Sequence, residues 1–155
     1  MRGGCVGAPG PASDRCGNPT FIPAGTASLS GDTCAFAPDY RPGAADTCIY
    51  AGSGGANDRV YYVYLPTSRT VTVNGCQAGS AHDQTVYFRN VCSLDGIANV
   101  PACNDDGCGG MRSCTRALRS TITTTIGPGL YYLFADGYAG GTCDCGAFEY
   151  ALSGI

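Results

Sequence analysis

Short apolar stretches in this chain alternate with clusters of Gly, Asn, Asp and Pro, at a spacing of about 8–15 residues. Within several stretches, β-branched and aromatic residues occupy every second position, which is typical of strands with one face on a core. Arg59–Leu65 is ended by Pro66, and Ser120–Ile126 sets Ile122 and Ile126 against three threonines. The pattern therefore predicts an all-β protein built from short strands.

Eight or nine strands are predicted, which is enough for a disulfide-stapled β-sandwich of two packed sheets. Residues 1–23 are rich in Gly, Pro and Ala without any periodicity, so we expect an N-terminal arm before a β-sandwich domain at 24–155. Cys92–Cys114 is predicted to be a long loop. The predicted strands are Thr26–Ser30, Thr47–Ala51, Arg59–Leu65, Arg69–Asn74, Gln84–Val91, Ile97–Val100, Ser120–Ile126, Leu130–Asp136 and Ala147–Leu152.

The composition excludes several classes of protein. Only 14% of the residues are charged, lysine is absent and Glu149 is the only glutamate. Most of the charged residue types that favour helical bundles are therefore missing. A net charge of −3 without a basic cluster argues against a nucleic-acid partner. The longest apolar runs, such as Leu130–Ala135, are far shorter than the roughly 20 residues of a membrane span, so no transmembrane segment is expected.

Eleven cysteines and a single histidine indicate disulfides rather than a zinc site, because no recognised set of zinc ligands can be assembled from them. Disulfides persist in oxidising compartments, so we expect an exported protein in an extracellular or periplasmic setting, and favour an extracellular, secreted one. Since eleven is odd, at least one cysteine is free, capped or bonded to another chain. The cysteines are Cys5, Cys16, Cys34, Cys48, Cys76, Cys92, Cys103, Cys108, Cys114, Cys143 and Cys145.

Short sequence spacing favours several local disulfides, although spacing alone does not determine connectivity. Cys143 and Cys145 lie two residues apart and would share one face of a strand, so they are not expected to bond each other. One of them would reach Cys76 and leave the other as the odd thiol. The pairs that this reasoning favours are Cys5–Cys16, Cys34–Cys48, Cys92–Cys103, Cys108–Cys114 and Cys76 with either Cys143 or Cys145.

A cluster of oxygen-bearing side chains is the candidate metal site. Asn104, Asp105 and Asp106 are adjacent, and Asp83 and Asp136 would join them from nearby strand ends. Ca²⁺ takes six to eight oxygen ligands from carboxylates, amides and carbonyls, so calcium is the cofactor that this set could hold. The interpretation that the pattern favours is an Asx-turn, in which these side chains accept hydrogen bonds from their own backbone.

Ten tyrosines and five phenylalanines, without any tryptophan, supply candidate binding rings. Both faces of Arg59–Leu65 carry bulky side chains, so one face meets the core and the other needs cover from a loop, a ligand or a second molecule. The arm is one candidate for that cover. The candidate binding residues are Tyr61, Tyr62, Tyr64, Tyr132 and Tyr138.

A set of short motifs follows in order along the chain from Asp58 onward. The motifs are Asp58–Leu65, Val71–Val73, Asp83–Arg89, Cys92, Ala102–Asp106, Ser120 with Ile122, Gly127–Leu133, Asp136–Tyr138 and Gly146–Tyr150. Together they resemble the bacterial pre-peptidase C-terminal domain, in its cysteine-rich secreted form. The resemblance implies a jelly-roll-like β-sandwich that accompanies exported enzymes and does no chemistry itself. It also implies that calcium, collagen or polysaccharide can be bound, as in some relatives.

We therefore expect a non-catalytic extracellular protein, and we consider one favoured function and two alternatives. The favoured one is a structural subunit that self-associates into a fibre or surface layer, through its arm or its apolar strand faces. The first alternative is an adhesion module that binds polysaccharide or extracellular matrix with the help of calcium. The second is a secreted hydrolase using His82, although no nucleophile motif accompanies this residue and a surface loop position is the simpler expectation.

Overall fold

The computed structural model describes residues 12–42, 55–94, 99–109, 118–139 and 143–155. Within these ranges the chain forms nine strands and no α-helix, so the predicted all-β class is confirmed. No helix in the described ranges is long and apolar enough to cross a membrane. The strands are β1 (Thr20–Phe21), β2 (Ser28–Asp32), β3 (Arg59–Leu65), β4 (Arg69–Asn74), β5 (Gln84–Arg89), β6 (Ala102–Asp105), β7 (Thr121–Ile126), β8 (Gly129–Gly137) and β9 (Ala147–Ser153).

The strands form two sheets that pack face to face. Sheet A has the order β1-β3-β8-β5-β6, and sheet B has the order β2-β9-β4-β7. The pairings between these strands are antiparallel, except that β1 runs parallel to β3. The two-sheet β-sandwich predicted from the sequence is thereby confirmed.

The main core lies between the sheets and takes alternate residues from each strand. On β3, Tyr61, Val63 and Leu65 are at most 2% exposed and face sheet B. Phe148 and Tyr150 of β9 meet them from the other side, with their ring centroids 5.1 Å apart. Full burial of one such side chain contributes about 1.5–3 kcal/mol, so the alternating pattern accounts for much of the stability of the sandwich.

The described part of the predicted arm belongs to the sandwich, which corrects the boundary placed after Pro23. Thr20 and Phe21 pair with Tyr61 and Tyr62 of β3, and Ile22 is 2% exposed in the main core. A strand of two residues is too short to show a period, so it could not be predicted from the hydrophobic pattern. Residues 1–11 lie outside the described ranges.

Strand β6 was not expected, because Cys92–Cys114 was predicted to be a loop. Ala102–Asp105 pairs with β5 over four residues, from Phe88 opposite Ala102 to Thr85 opposite Asp105. Its Ala-Cys-Asn-Asp sequence has little strand propensity, so pairing with β5 holds it in place rather than its own preference.

Two other predicted strands cannot be matched to observed ones. Thr47–Ala51 lies outside the described residues. Of Ile97–Val100, only the last two residues are described, and neither belongs to a strand. The first predicted strand of the domain, Thr26–Ser30, is shifted by two residues and observed as Ser28–Asp32.

The disulfides join distant segments, so the predicted local pairs are wrong. The three described bridges span 76, 111 and 32 residues of sequence. Sequence spacing failed because the sandwich brings segments together by strand order, and a bridge needs proximity of Cα atoms in space rather than along the chain. The bridges are Cys16–Cys92, Cys34–Cys145 and Cys76–Cys108.

The odd thiol predicted at Cys143 or Cys145 is also corrected. Cys145 bonds Cys34, and Cys143 is disulfide-bonded, as is Cys103. Cys143 and Cys145 do not bond each other, as their spacing predicted. All eight cysteines in the described ranges are therefore oxidised, which fits an oxidising compartment.

Candidate functional site

The outer face of sheet A, turned away from sheet B, carries the candidate functional residues in rows. A row consists of residues that the strand register places side by side on neighbouring strands. One row runs through Val60, Phe134 and Tyr87. The neighbouring row runs through Phe21, Tyr62 and Tyr132, and because a strand alternates its faces, the two rows share the same side of the sheet.

The row of Val60, Phe134 and Tyr87 is covered by the chain itself. All three side chains are fully buried, and Tyr40 packs on Phe134 with ring centroids 5.2 Å apart. The hydroxyl of Tyr40 accepts a hydrogen bond of 3.0 Å from the amide of Cys16. Two loop segments thus cover one half of the outer face, which is the kind of cover that the two-faced strands were expected to need.

The other half of the face remains accessible and is lined by large apolar side chains. Phe21, Tyr64 and Leu130 are 49%, 60% and 43% exposed. The ring centroid of Tyr62 lies 5.1 Å from that of Phe21, and Tyr64 is the register partner of Leu130. We call this surface the aromatic strip, and it consists of Phe21, Tyr62, Tyr64, Leu130 and Tyr132.

Three of the five tyrosines predicted to bind a ligand lie together on the strip. Tyr62, Tyr64 and Tyr132 share it, but Tyr61 lies on the opposite side of β3 in the core and offers no surface. Burial raises the pKa of Tyr61 to about 12, as expected for a phenol removed from water. Tyr138 lies at the far end of β8, where its amide donates to the carbonyl of Asp83.

Three aspartates gather at that far end of sheet A, as the sequence predicted. One carboxylate oxygen from each of Asp83, Asp105 and Asp106 lies within 4.8 Å of the others. The end of β6 and the residue before β5 bring them together, and the hydroxyl of Thr85 donates to Asp105 at 3.4 Å. Three carboxylates so close together can hold a hard cation, and calcium stays a prediction for this aspartate cluster.

The other two predicted ligands have different roles. The side-chain oxygen of Asn104 accepts hydrogen bonds from the amides of Gly107 at 3.0 Å and Thr121 at 2.9 Å, which is the turn alternative considered above. The Asp136 carboxyl is fully buried and bonded to the hydroxyl of Tyr87 at 3.1 Å, so it lies outside the cluster. The direction of the Asp136 side chain could not be predicted from the sequence, because the face of sheet A that it occupies depends on the register of β8.

His82 is buried rather than on a surface loop, which corrects the simpler of its two expectations. Its Nδ1 lies 3.1 Å from the carbonyl oxygen of Ala147, and its Nε2 lies 3.4 Å from that of Asp136. Both contacts are with backbone carbonyls rather than with a hydroxyl or a carboxylate. Ala147 belongs to β9 and Asp136 to β8, so the ring connects the two sheets.

Comparison with known proteins bears on the fold. No protein-family model matches the chain, and no curated protein matches it. The solved pre-peptidase C-terminal domain of collagenase from Bacillus anthracis is similar, with a TM-score of 0.51 over 88% of this chain and 95% of that chain. The fold is that of a pre-peptidase C-terminal domain. The sequence identity is 14%, so the likeness shows the fold alone and confirms the resemblance at that level.

Sequence reasoning missed two residues of the aromatic strip. Leu130 lies two residues before Tyr132 on β8 and therefore shares its face, so the alternating pattern contained a signal for it. Phe21 had no such signal, because it was assigned to the arm and its strand has only two residues. The aromatic strip therefore combines one side chain of β1 with two side chains of β3 and two of β8.

The buried imidazole predicts a pH-dependent contribution to the stability of the sandwich. Burial lowers the pKa of His82, so the folded protein disfavours a proton that the unfolded chain accepts near pH 6.5. The stability that depends on this neutral ring is present above pH 6.5 and is lost as the pH falls through the lower folded pKa.

The prediction is checked by urea unfolding of the wild type and a His82→Gln variant. The difference in the free energy of unfolding between them should shrink by up to about 1.4 kcal/mol per pH unit as the pH falls from about 7 to 5. Comparing the two proteins cancels the other titrating groups. A difference that stays constant over this range would contradict the prediction.

Proposed function

We propose that this chain is a non-catalytic extracellular binding domain that holds a neutral polysaccharide on the aromatic strip. The observation that carries the proposal is the alignment of Phe21, Tyr64 and Leu130, each more than two-fifths exposed, beside two further tyrosines. Exposed apolar patches on secreted domains mark interaction surfaces. The oxidised cysteines support an extracellular site of action.

The chemistry of the strip favours a polysaccharide. Ring faces pack against the apolar C–H faces of sugars, and the phenol hydroxyls of Tyr62, Tyr64 and Tyr132 can donate to and accept from sugar hydroxyls. All five side chains of the strip are uncharged, so an uncharged chain matches them better than an acidic or basic one.

The size of the strip argues against a second copy of the chain as its occupant. A stable protein interface takes about 800 Å² and 20–30 residues from each partner, whereas the strip has five side chains on three strands. The described part of the arm also packs on its own chain, through Ile22 in the core and the Cys16–Cys92 bridge. This removes one of the arguments for assembly through the arm.

Two further features support a role without chemistry. Both ring nitrogens of His82 face backbone carbonyls, so the residue is engaged in the fold. The solved neighbour is a domain of a collagenase, which makes an accessory role beside an enzyme a reasonable model for this chain.

The test is retention of the purified protein on insoluble cellulose, chitin and collagen, measured as the bound fraction after sedimentation. We expect retention on at least one of the two polysaccharides, and Tyr64→Ala should weaken it about tenfold or more, as truncation of a central aromatic contact does. Tyr138→Ala, which removes a half-buried tyrosine at the far end of sheet A, should bind like the wild type.

The remaining outcomes contradict the proposal. Retention on collagen alone would replace the ligand class with a protein matrix. Sedimentation velocity that shows self-association abolished by Tyr64→Ala would make the strip an assembly surface. Absence of retention on any matrix would refute a binding role for the strip.

A further inference from the structure

Two aspartates without an ion-pair partner in the described ranges are buried side by side on the outer face of sheet A. Asp58 immediately precedes β3, and Asp136 follows Ala135, the register partner of Arg59. The side chains of Asp58 and Asp136 are on the same side of the sheet as the covered row, and both residues are 0% exposed. We call them the carboxyl pair. It is separate from the aromatic strip and the aspartate cluster.

The carboxyl pair is bonded to the loop that covers this half of the face. Oδ2 of Asp58 accepts a hydrogen bond of 2.8 Å from the amide of Tyr40, and the amide of Asp58 donates to the carbonyl of Ala37 at 3.4 Å. Oδ1 of Asp58 is buried and has no hydrogen-bond partner among the described residues. The backbone amides of Tyr40 and Asp39 favour the charged form of this carboxylate, but burial outweighs them, so Asp58 lacks the full solvation that a buried charge needs.

Asp136 is held more firmly than Asp58. Its Oδ2 accepts from the hydroxyl of Tyr87 at 3.1 Å, and its Oδ1 accepts from the amide of Gly137 at 2.7 Å. These bonds orient Asp136 within the sheet, so Asp58 is the member of the pair whose bonds depend on the loop.

The charged and titratable groups around Asp58 disfavour a second negative charge. Segment 12–18 brings Asp14 and Arg15, and segment 33–42 brings Asp39, Tyr40 and Arg41. Arg15 is engaged by Asp39 at 2.9 Å, and the Arg89 guanidinium lies over Phe134 and donates to backbone carbonyls. The groups that face Asp58 from the sheet are Asp136, the other member of the pair, together with Tyr87 and Arg89.

Burial is the main reason why the pair retains protons. It raises the pKa of Asp58 to about 7, and the acidic neighbours Asp39 and Asp14 add to the effect. Burial and the nearby Asp58 raise the pKa of Asp136 well above its ordinary value. Two carboxylates in one buried site cannot both ionise without water, as in other carboxyl pairs.

We propose that the carboxyl pair is a proton-dependent clasp, which keeps the loop at 33–42 closed over sheet A in acid and loosens it as the pH rises. When the O–H bond of Asp58 breaks, the proton passes to solvent water and the charge remains on the carboxylate. The loop opens because opening admits the water that this charge requires. The clasp does not depend on the proposed function.

The direction of the pH effect follows from the linkage between protonation of Asp58 and opening of the loop. In the open loop Asp58 titrates near 3.8, its unperturbed value, and in the closed loop it titrates near 7. The closed form therefore binds the proton more tightly, so its advantage is full below about pH 4 and is lost as the pH rises towards 7. Each pH unit in that window changes the opening equilibrium by up to about tenfold.

The test is hydrogen exchange of the Tyr40 amide, corrected for the intrinsic pH dependence of exchange. In the wild type, its protection should fall about tenfold or more between pH 5 and pH 7. Asp58→Asn, which keeps an oxygen to accept from Tyr40 and removes the titration, should give protection independent of pH. Asp39→Asn removes one carboxylate of the same loop and should keep the wild-type fall.

A second measurement needs no variant. The ¹³C carboxyl resonance of Asp58 in the wild type should titrate near pH 7. Titration of Asp58 below about pH 5 would overturn the proposal. So would constant protection of Tyr40 in the wild type, or an equal fall in Asp58→Asn.

Discussion

Replacing both cysteines of the Cys34–Cys145 bridge with serine is expected to lower the free energy of unfolding by about 4–5 kcal/mol. The bridge closes 111 residues, and the entropy that it removes from the unfolded chain grows with the length of the closed loop. Most domains are stable by only about 5–15 kcal/mol, so the loss would be a large part of the total. Urea unfolding of the double variant at pH 7 measures it.

The Cys76–Cys108 bridge is a matched control for this prediction. In each bridge one cysteine is exposed and the other half-buried, so replacement by serine leaves little cavity in either case. The control closes 32 residues, and its removal should cost about 1 kcal/mol less than that of the longer bridge. Equal losses for the two bridges, or a loss below about 1 kcal/mol for Cys34–Cys145, would show that loop closure is not their main contribution.

The sequence was sufficient to predict a strand wherever apolar and polar residues alternate along it. Arg59–Leu65 and Arg69–Asn74 have the predicted bounds, because each alternates and is ended by turn residues. Alternation also separated Tyr61 from Tyr62 and Tyr64. It could not tell which side faced the core, since that depends on which side sheet B covers.

What the sequence could not supply depends on contacts between distant segments. Strand β1 exists because β3 offers a free edge, and Phe21 joins the aromatic strip only through that pairing. The partners of Cys16 and Cys34 are likewise decided by strand order. The aspartate cluster could be predicted in part. Asp105 and Asp106 are adjacent in sequence, whereas Asp83 reaches them from the start of β5.

The same long-range contacts bury Arg89, an unusual residue for a protein interior. It is 1% exposed, and its guanidinium carbon lies 4.7 Å from the ring centre of Phe134. It donates to the carbonyl of Cys92 at 2.8 Å and to the carbonyl of Arg41. Aromatic faces and carbonyl dipoles thus stabilise this cation, and one side chain ties the loop at 33–42 and the turn after β5 to sheet A.

Replacing Arg89 with alanine is therefore expected to lower the free energy of unfolding by about 3–5 kcal/mol. The truncation leaves a cavity beside Phe134 and removes the donor from two carbonyl oxygens. Arg89→Lys keeps the charge but loses the planar fork, so its loss should be intermediate. Arg69→Ala, at a half-buried arginine that contacts Thr67, should cost less than about 0.5 kcal/mol. If thermal and urea unfolding place Arg89→Ala within about 1 kcal/mol of the wild type, the covering loops are held by their disulfide and apolar contacts instead.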